Sequence, residues 1–213
     1  VPILIPIDPV NPQEENLRKA LTVLRQGGVI VYPTETFYGL GADADNEEAV
    51  EKIYAIKGRT FAKPLPLIIG DRKDLPRYVE GIPDAAKILT AEFWPGALTV
   101  VFRASQAVSL RLMGGTGKIG IRLSSHPIAF RLAAMLSGAL TATSANLSGE
   151  KECTSAVDIP EELRDRVDAV IDGGRTPGGP GSTIVDVTTD PPAILRAGVI
   201  PSHIIEDRLA KTA

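Results

Sequence analysis

The sequence predicts a single α/β domain. Helical and extended patterns alternate from one end to the other, no composition break or low-complexity linker interrupts the 213 residues, and apolar strand-like runs end in polar, glycine-containing loops. A chain of this length sits near the upper edge of what one hydrophobic core serves and buries roughly 70% of its unfolded surface. With 44% hydrophobic and 23% charged residues, its composition is that of an ordinary folded protein. One domain is expected over residues 1–213.

The elements follow in order. Val1 to Asp8 is apolar, lacks a basic leader and is broken by Pro2 and Pro6, so it reads as a strand rather than a signal peptide. Asn11-Pro12-Gln13-Glu14 offers an N-cap, a proline at the first helical position and a glutamate three residues after the cap. Leu17, Leu21 and Leu24 follow at helical spacing, and Gly27-Gly28 ends the helix. Val29 to Tyr32 is a short buried strand that runs into Pro33-Thr34-Glu35-Thr36. Asn46 caps a second helix that turns Val50, Ile53 and Ile56 inward and delivers Lys57-Gly58-Arg59 at its C-terminal end. Leu67 to Ile69 is a strand, and a helix from Pro83 to about Phe93 stops at Pro95-Gly96. Strands are expected at Leu98 to Phe102, Ile119 to Leu123 and Ala139 to Thr143, with a helix from Ile128 to Leu136 between the last two. A helix at Glu161 to Val167, strands at Ala169 to Ile171, Thr183 to Val187 and Ala193 to Leu195, and a short terminal helix after Pro201 complete the chain.

Several functional classes are disfavoured. The net charge of −3 provides no global positive field for nucleic acid. The single cysteine, Cys153, excludes an internal disulfide and a cysteine-based zinc cage and is expected to be a packing residue. No run of about 18 apolar residues is present, and a cytoplasmic protein is expected. His126 and His203 form no helical metal pair, and His126 is expected to cap a helix. Gly114-Gly115-Thr116-Gly117-Lys118 fails as a P-loop, with Leu112 in place of the first glycine and Ile119 in place of the magnesium-binding hydroxyl. No Gly-x-Ser-x-Gly elbow exists.

The remaining polar segments each sit at the end of an element. Thr34, Glu35 and Thr36 follow a strand and precede Gly39 and Gly41, which would let backbone approach a ligand. Lys57, Arg59 and Lys63 cluster positive charge. Arg122 ends a strand, Ser144 and Asn146 follow another, and Ser182 follows the glycine-rich segment 173–181. Converging on one crevice, they would suit an anionic nucleotide together with a small zwitterion.

Seven ordered blocks carry a resemblance: PTETFYGLG at 33–41, KGR at 57–59, KPL at 63–65, IRLSSHP at 121–127, TSANLSG at 143–149, GSTIVD at 181–186 and ILRAG at 194–198. Together they resemble the YrdC-like family of threonylcarbamoyl-adenylate synthases, a resemblance that implies a domain core at about 8–200. The resemblance implies a RibB-like architecture, with a twisted, mostly mixed sheet and a concave, positively lined cavity. It implies that L-threonine, bicarbonate and ATP, with Mg2+, give threonylcarbamoyl-adenylate and pyrophosphate, and that a transferase moves the threonylcarbamoyl group to tRNA. It places Thr34, Arg122 and Ser182 on L-threonine and Lys57, Arg59, Lys63, Lys118, Ser144, Asn146 and Arg196 on ATP, without a covalent enzyme nucleophile. It places the chain in the single-domain branch. The alternative is an RNA-binding or ribosome-associated module of the same fold. Segment 173–181 reads equally as a lid or as a plain connector.

Overall fold

The computed structural model describes residues 1–211. Its strands are β1 (Ile3–Pro6), β2 (Ile30–Pro33), β3 (Tyr38–Gly41), β4 (Leu67–Ile69), β5 (Leu98–Arg103), β6 (Lys118–Arg122), β7 (Ala139–Thr141), β8 (Thr143–Ser144), β9 (Ala169–Asp172), β10 (Thr183–Asp186) and β11 (Ala193–Arg196). Its α-helices are α1 (Glu14–Arg25), α2 (Glu47–Lys57), α3 (Leu75–Tyr78), α4 (Asp84–Phe93), α5 (Leu110–Met113), α6 (Pro127–Leu136), α7 (Glu161–Arg164) and α8 (Ser202–Ala210).

The strands form two mixed sheets. One has the order β1-β9-β2-β3-β8, parallel from β1 to β2 and antiparallel beyond. The other has the order β11-β10-β5-β6-β4-β7. The single strand expected at 139–143 is divided between them: Ala142 donates its amide to Pro66, outside both ladders, while β7 pairs with β4 and β8 with β3. The α/β class is as the alternation of patterns implies. Dividing the strands between two sheets is what apolar periodicity cannot express, because each strand is locally the same in either arrangement.

Helix α1 begins at Glu14 after Gln13, which makes no side-chain cap, and not at the expected Asn11 cap. Asp8 accounts for the difference: its Oδ1 accepts from the amides of Val10 and Asn11, so a turn takes the place of the first helical residues. The other caps follow the sequence. Asn46 accepts from the Ala49 amide at 3.1 Å, and Gly58 ends α2 at φ 58°, a left-handed conformation that glycine adopts without steric strain.

Helices α1 and α6 share a core with the first sheet, through Leu17, Leu21 and Leu24 on one helix and Ile128, Leu132 and Leu136 on the other, against Ile30, Tyr32 and Ile171. Helix α6 lies so close to the end of β4 that a Cβ on Gly70 would stand 2.3 Å from the Ala134 Cα. The larger core lies beneath α2 and α4, with Val50, Ile53, Leu89, Trp94, Val100 and Phe102. Full burial of each such aliphatic or aromatic side chain contributes about 1.5–3 kcal/mol, which fixes the strand ends from which the polar loops emerge.

Candidate active site

A cavity of about 310 Å³ opens where these ends meet. The turn between β2 and β3 supplies Thr34 and Thr36, the second residue after α2 is Arg59, β6 ends on Arg122, β8 supplies Ser144, the residue before β10 is Ser182, and β11 ends on Arg196. All seven side chains belong to the cavity lining.

The 34–37 turn is held by Thr34 itself. Its amide donates to the Phe37 carbonyl at 3.1 Å and its Oγ1 donates to the same oxygen at 2.7 Å, while the Thr36 amide donates back to Thr34 Oγ1. Gly39 lines the cavity, and both glycines of this segment also make room for a neighbouring ring. A Cβ on Gly41 would lie 2.6 Å from the Tyr32 ring and one on Gly39 3.3 Å from it, so the space they leave is filled mainly by Tyr32. The Tyr32 hydroxyl donates to the Thr141 carbonyl at 2.9 Å, and burial pushes its pKa well above the ordinary tyrosine value.

Arg59 follows the left-handed Gly58 and lies over the Tyr54 ring, 5.3 Å from its centroid. Its Nε and Nη2 are buried without a hydrogen-bond partner, and burial lowers its pKa. A desolvated guanidinium with unsatisfied donors, at the wall of a cavity, is an anion site in waiting. Arg122 is 7% exposed and its Nη1 lies 3.2 Å from Glu35 Oε1, while Glu35 Oε2 accepts from Ser124. Its Nε has no partner. Arg196 stands at the exposed rim and folds back on Ser182, donating from Nε to its carbonyl and from Nη2 to its Oγ, each at 3.0 Å. Thr99 Oγ1 completes this edge, 3.0 Å from Ser182 Oγ.

Lys57 and Asn146 stand behind the lining. The buried Lys57 ammonium donates to Ser144 O at 2.6 Å, Asn146 O at 2.7 Å and Asn146 Oδ1 at 2.8 Å, which uses all three of its protons. Burial, and then Arg59, lower its pKa to about 8, so it still carries its charge at neutral pH. Asn146 also accepts from Ser144 Oγ and donates to Glu150 O. Lys57 therefore ties the 144–150 turn to the end of α2.

Lys63 and Lys118 do not belong to the lining. Lys63 is exposed and contributes its carbonyl to the Tyr54 hydroxyl at 2.7 Å. Lys118 pairs with the buried Asp186 at 2.8 Å. Among the lining residues that sequence reasoning did not select are Tyr32, Thr99 and Glu152. Thr99 carried a signal as a hydroxyl within the apolar run Leu98 to Phe102. Glu152 carried none.

Segment 173–181 is pinned along its length. Tyr38 Oη donates to Gly174 O at 2.6 Å and accepts from Gly173 N, Thr176 N donates to Thr154 O, and Gly178 N donates to Thr36 O. This is a wall beside the cavity, with Gly181 at its edge. His126 caps α6 through its Nδ1, which accepts from the Ile128 amide at 3.3 Å, and Cys153 is a buried thiol whose pKa burial raises. Among the described residues no helix is long and apolar enough to cross a membrane, and no group of three or more His, Cys, Asp or Glu side chains could hold a metal ion.

Buried guanidinium donors and hydroxyls converge from strand ends on a mixed α/β domain, an arrangement whose chemistry suits a small anionic ligand. The family model Sua5/YciO/YrdC, described as telomere recombination, matches residues 22–198, and the chain belongs to this family. A threonylcarbamoyl-AMP synthase of Pyrococcus abyssi is 38% identical over 91% of this chain and 57% of its own length. One of Bacillus subtilis is 38% identical over 93% of this chain and 58% of its own length. The chain thus spans less than two thirds of the length of these relatives. The structure of P. abyssi Sua5 complexed with L-threonine superposes with a TM-score of 0.93 at 37% identity, covering 97% of this chain and 61% of that one. Escherichia coli YciO superposes with a TM-score of 0.84 at 31% identity, covering 93% of this chain and 97% of that one.

Proposed function

We propose that this protein is an L-threonylcarbamoyladenylate synthase: with ATP it converts L-threonine and bicarbonate into threonylcarbamoyl-AMP and pyrophosphate. The observation that carries the reading is the pair of arginines with buried, unpartnered nitrogens, Arg59 and Arg122, on the wall of one cavity. The names of the relatives and the threonine complex of P. abyssi Sua5 support it.

Arg122, backed by Glu35, receives the α-carboxylate of threonine, with Thr34 and Ser182 beside it. A guanidinium suits this task because it can meet both carboxylate oxygens in one plane. Arg59 and Arg196 receive the triphosphate, with Ser144 orienting it. We assign Lys57 and Asn146 to holding the 144–150 turn, and give Lys63 and Lys118 at most a role at the approach to the cavity. The neutral threonine amine attacks carbon dioxide with loss of a proton, or bicarbonate with loss of water, to form a carbamate. A carbamate oxygen then attacks the α-phosphorus as the bond to pyrophosphate breaks. No enzyme nucleophile is needed, because positioning and cationic stabilisation of the leaving pyrophosphate suffice. The described residues offer no carboxylate cage for a divalent cation, so the Mg2+ that the reaction implies would arrive on the nucleotide phosphates.

In this reading the reaction is an adenylyl transfer in the cytoplasm, carried out by residues 1–213 as one domain. A tRNA-modifying transferase consumes the product. The RNA-binding alternative has less behind it: the positive charge is gathered into a small cavity instead of a groove that could track a polynucleotide. Incubation with ATP, Mg2+, bicarbonate and L-threonine, followed by pyrophosphate assay and mass spectrometry of the adenylate, tests the proposal. Threonine-dependent pyrophosphate and threonylcarbamoyl-AMP are expected. Pyrophosphate release that ignores threonine, or none, would defeat it.

A further inference from the structure

Within the cavity one side chain opposes the general charge. Glu152 is the single carboxylate in the described lining, beside Arg59, Arg122 and Arg196. It is half-buried and, among the described residues, forms no hydrogen bond or ion pair. Its charge is nevertheless felt by two nearby cations. It raises the proton affinity of Lys57 on one side and of Arg196 on the other, and Arg196 in turn senses Arg122. Glu152 therefore lies among the cations without being consumed by any of them.

A carboxylate there works against an anionic ligand. Every phosphate entering the cavity meets repulsion from it, so a site meant only for polyphosphate would bind better without Glu152. Its placement suits a ligand that brings a positive group as well as a negative one. We propose that Glu152 receives the α-ammonium group of the amino-acid substrate, so that the cavity selects a zwitterion over a simple carboxylic or hydroxy acid. The inference rests on the synthase reading. It adds to it a residue that sets specificity: the arginines provide the affinity for anions, and Glu152 makes the presence of an amine count.

Equilibrium binding to the unaltered protein and to Glu152→Gln tests this, with three probes: L-threonine, 2,3-dihydroxybutanoic acid (threonine with hydroxyl in place of the amine) and ATP with Mg2+. In the unaltered protein threonine should bind more tightly than the hydroxy acid by about tenfold or more, as expected for one charge-assisted hydrogen bond in a partly desolvated site. In Glu152→Gln threonine should weaken by about tenfold, with the hydroxy acid and ATP each unchanged or tighter. Glu152→Asp, which keeps the charge on a shorter stem, should recover part of the preference. A loss of structure would weaken all three probes together, and weaker Mg-ATP alone would mean a metal contact; either result overturns the proposal. So does an unchanged preference for threonine over the hydroxy acid, which leaves the synthase reading intact. If the unaltered protein binds ATP but no threonine, the synthase reading fails and this inference fails with it.

Discussion

Replacing Lys57 with methionine separates two accounts of the site. Methionine keeps the bulk of the side chain and removes the ammonium, leaving the carbonyls of Ser144 and Asn146 without this donor, while the Asn146 amide oxygen keeps only Ser144 Oγ. An unsatisfied buried acceptor costs about 1–3 kcal/mol, so the two carbonyls would cost as much as ~6 kcal/mol if nothing relaxed. The cavity lies next to this turn, however, and water entering from it can satisfy one or two of them. Relief of the cost of burying the ammonium acts in the same direction. A net loss of about 2–4 kcal/mol follows, or roughly 5–15 °C in Tm for a chain of this length. Thermal unfolding by circular dichroism measures it, with ATP affinity measured on the same samples. The tether account predicts a large fall in Tm together with weaker nucleotide binding, because Ser144 and Asn146 lose their anchor. A Tm within about 2 °C of the unaltered protein, with ATP affinity lost, would refute it and make Lys57 a direct phosphate ligand.

Arg59→Ala should behave in the opposite way: its guanidinium has unpartnered nitrogens, so ATP affinity should fall by about 10- to 100-fold in a calorimetric titration while Tm changes by little. Arg122→Lys should weaken threonine by about tenfold or more, because an ammonium cannot serve Glu35 and both oxygens of a ligand carboxylate in one plane; unaltered threonine affinity would remove Arg122 from that role. His126 accepts the Ile128 amide through Nδ1, and burial lowers its pKa below 6.5, so the unfolded chain binds a proton more readily than the folded one. The cap's contribution, about 1 kcal/mol, is thus fully present above pH 6.5 and is lost as the pH falls through the folded pKa. His126→Asn, which caps without titrating there, should flatten the fall in Tm between pH 7.5 and about pH 5.

What the sequence made legible follows from how local each signal is. The Asn46 cap, the Gly58 terminus and the Leu17, Leu21, Leu24 stripe are set by neighbouring residues, and these parts of the chain take the expected form. The start of α1 is a contest between two local options, the Asn11 cap and the Asp8 turn, and side-chain chemistry alone does not rank them. The fate of 139–143 depends on partners far away in the chain, β4 for one half and β3 for the other. In the site, strand ends explain why Arg122, Ser144, Ser182 and Arg196 converge. Whether a cation faces the ligand or the protein was beyond pattern reading: Arg59 keeps unpartnered nitrogens, Lys57 two residues earlier is fully engaged, and Lys118 finds Asp186 on a neighbouring element. Glu152, in a loop with no periodicity, has a meaning only once the cavity exists.

The central claim is that one cavity holds the amino acid and the nucleotide together. A crystal structure of this protein with L-threonine and a non-hydrolysable ATP analogue tests it most directly. The account predicts the threonine carboxylate on Arg122 and the phosphates on Arg59 within the same cavity. Threonine bound elsewhere, or phosphates that avoid Arg59, would contradict it.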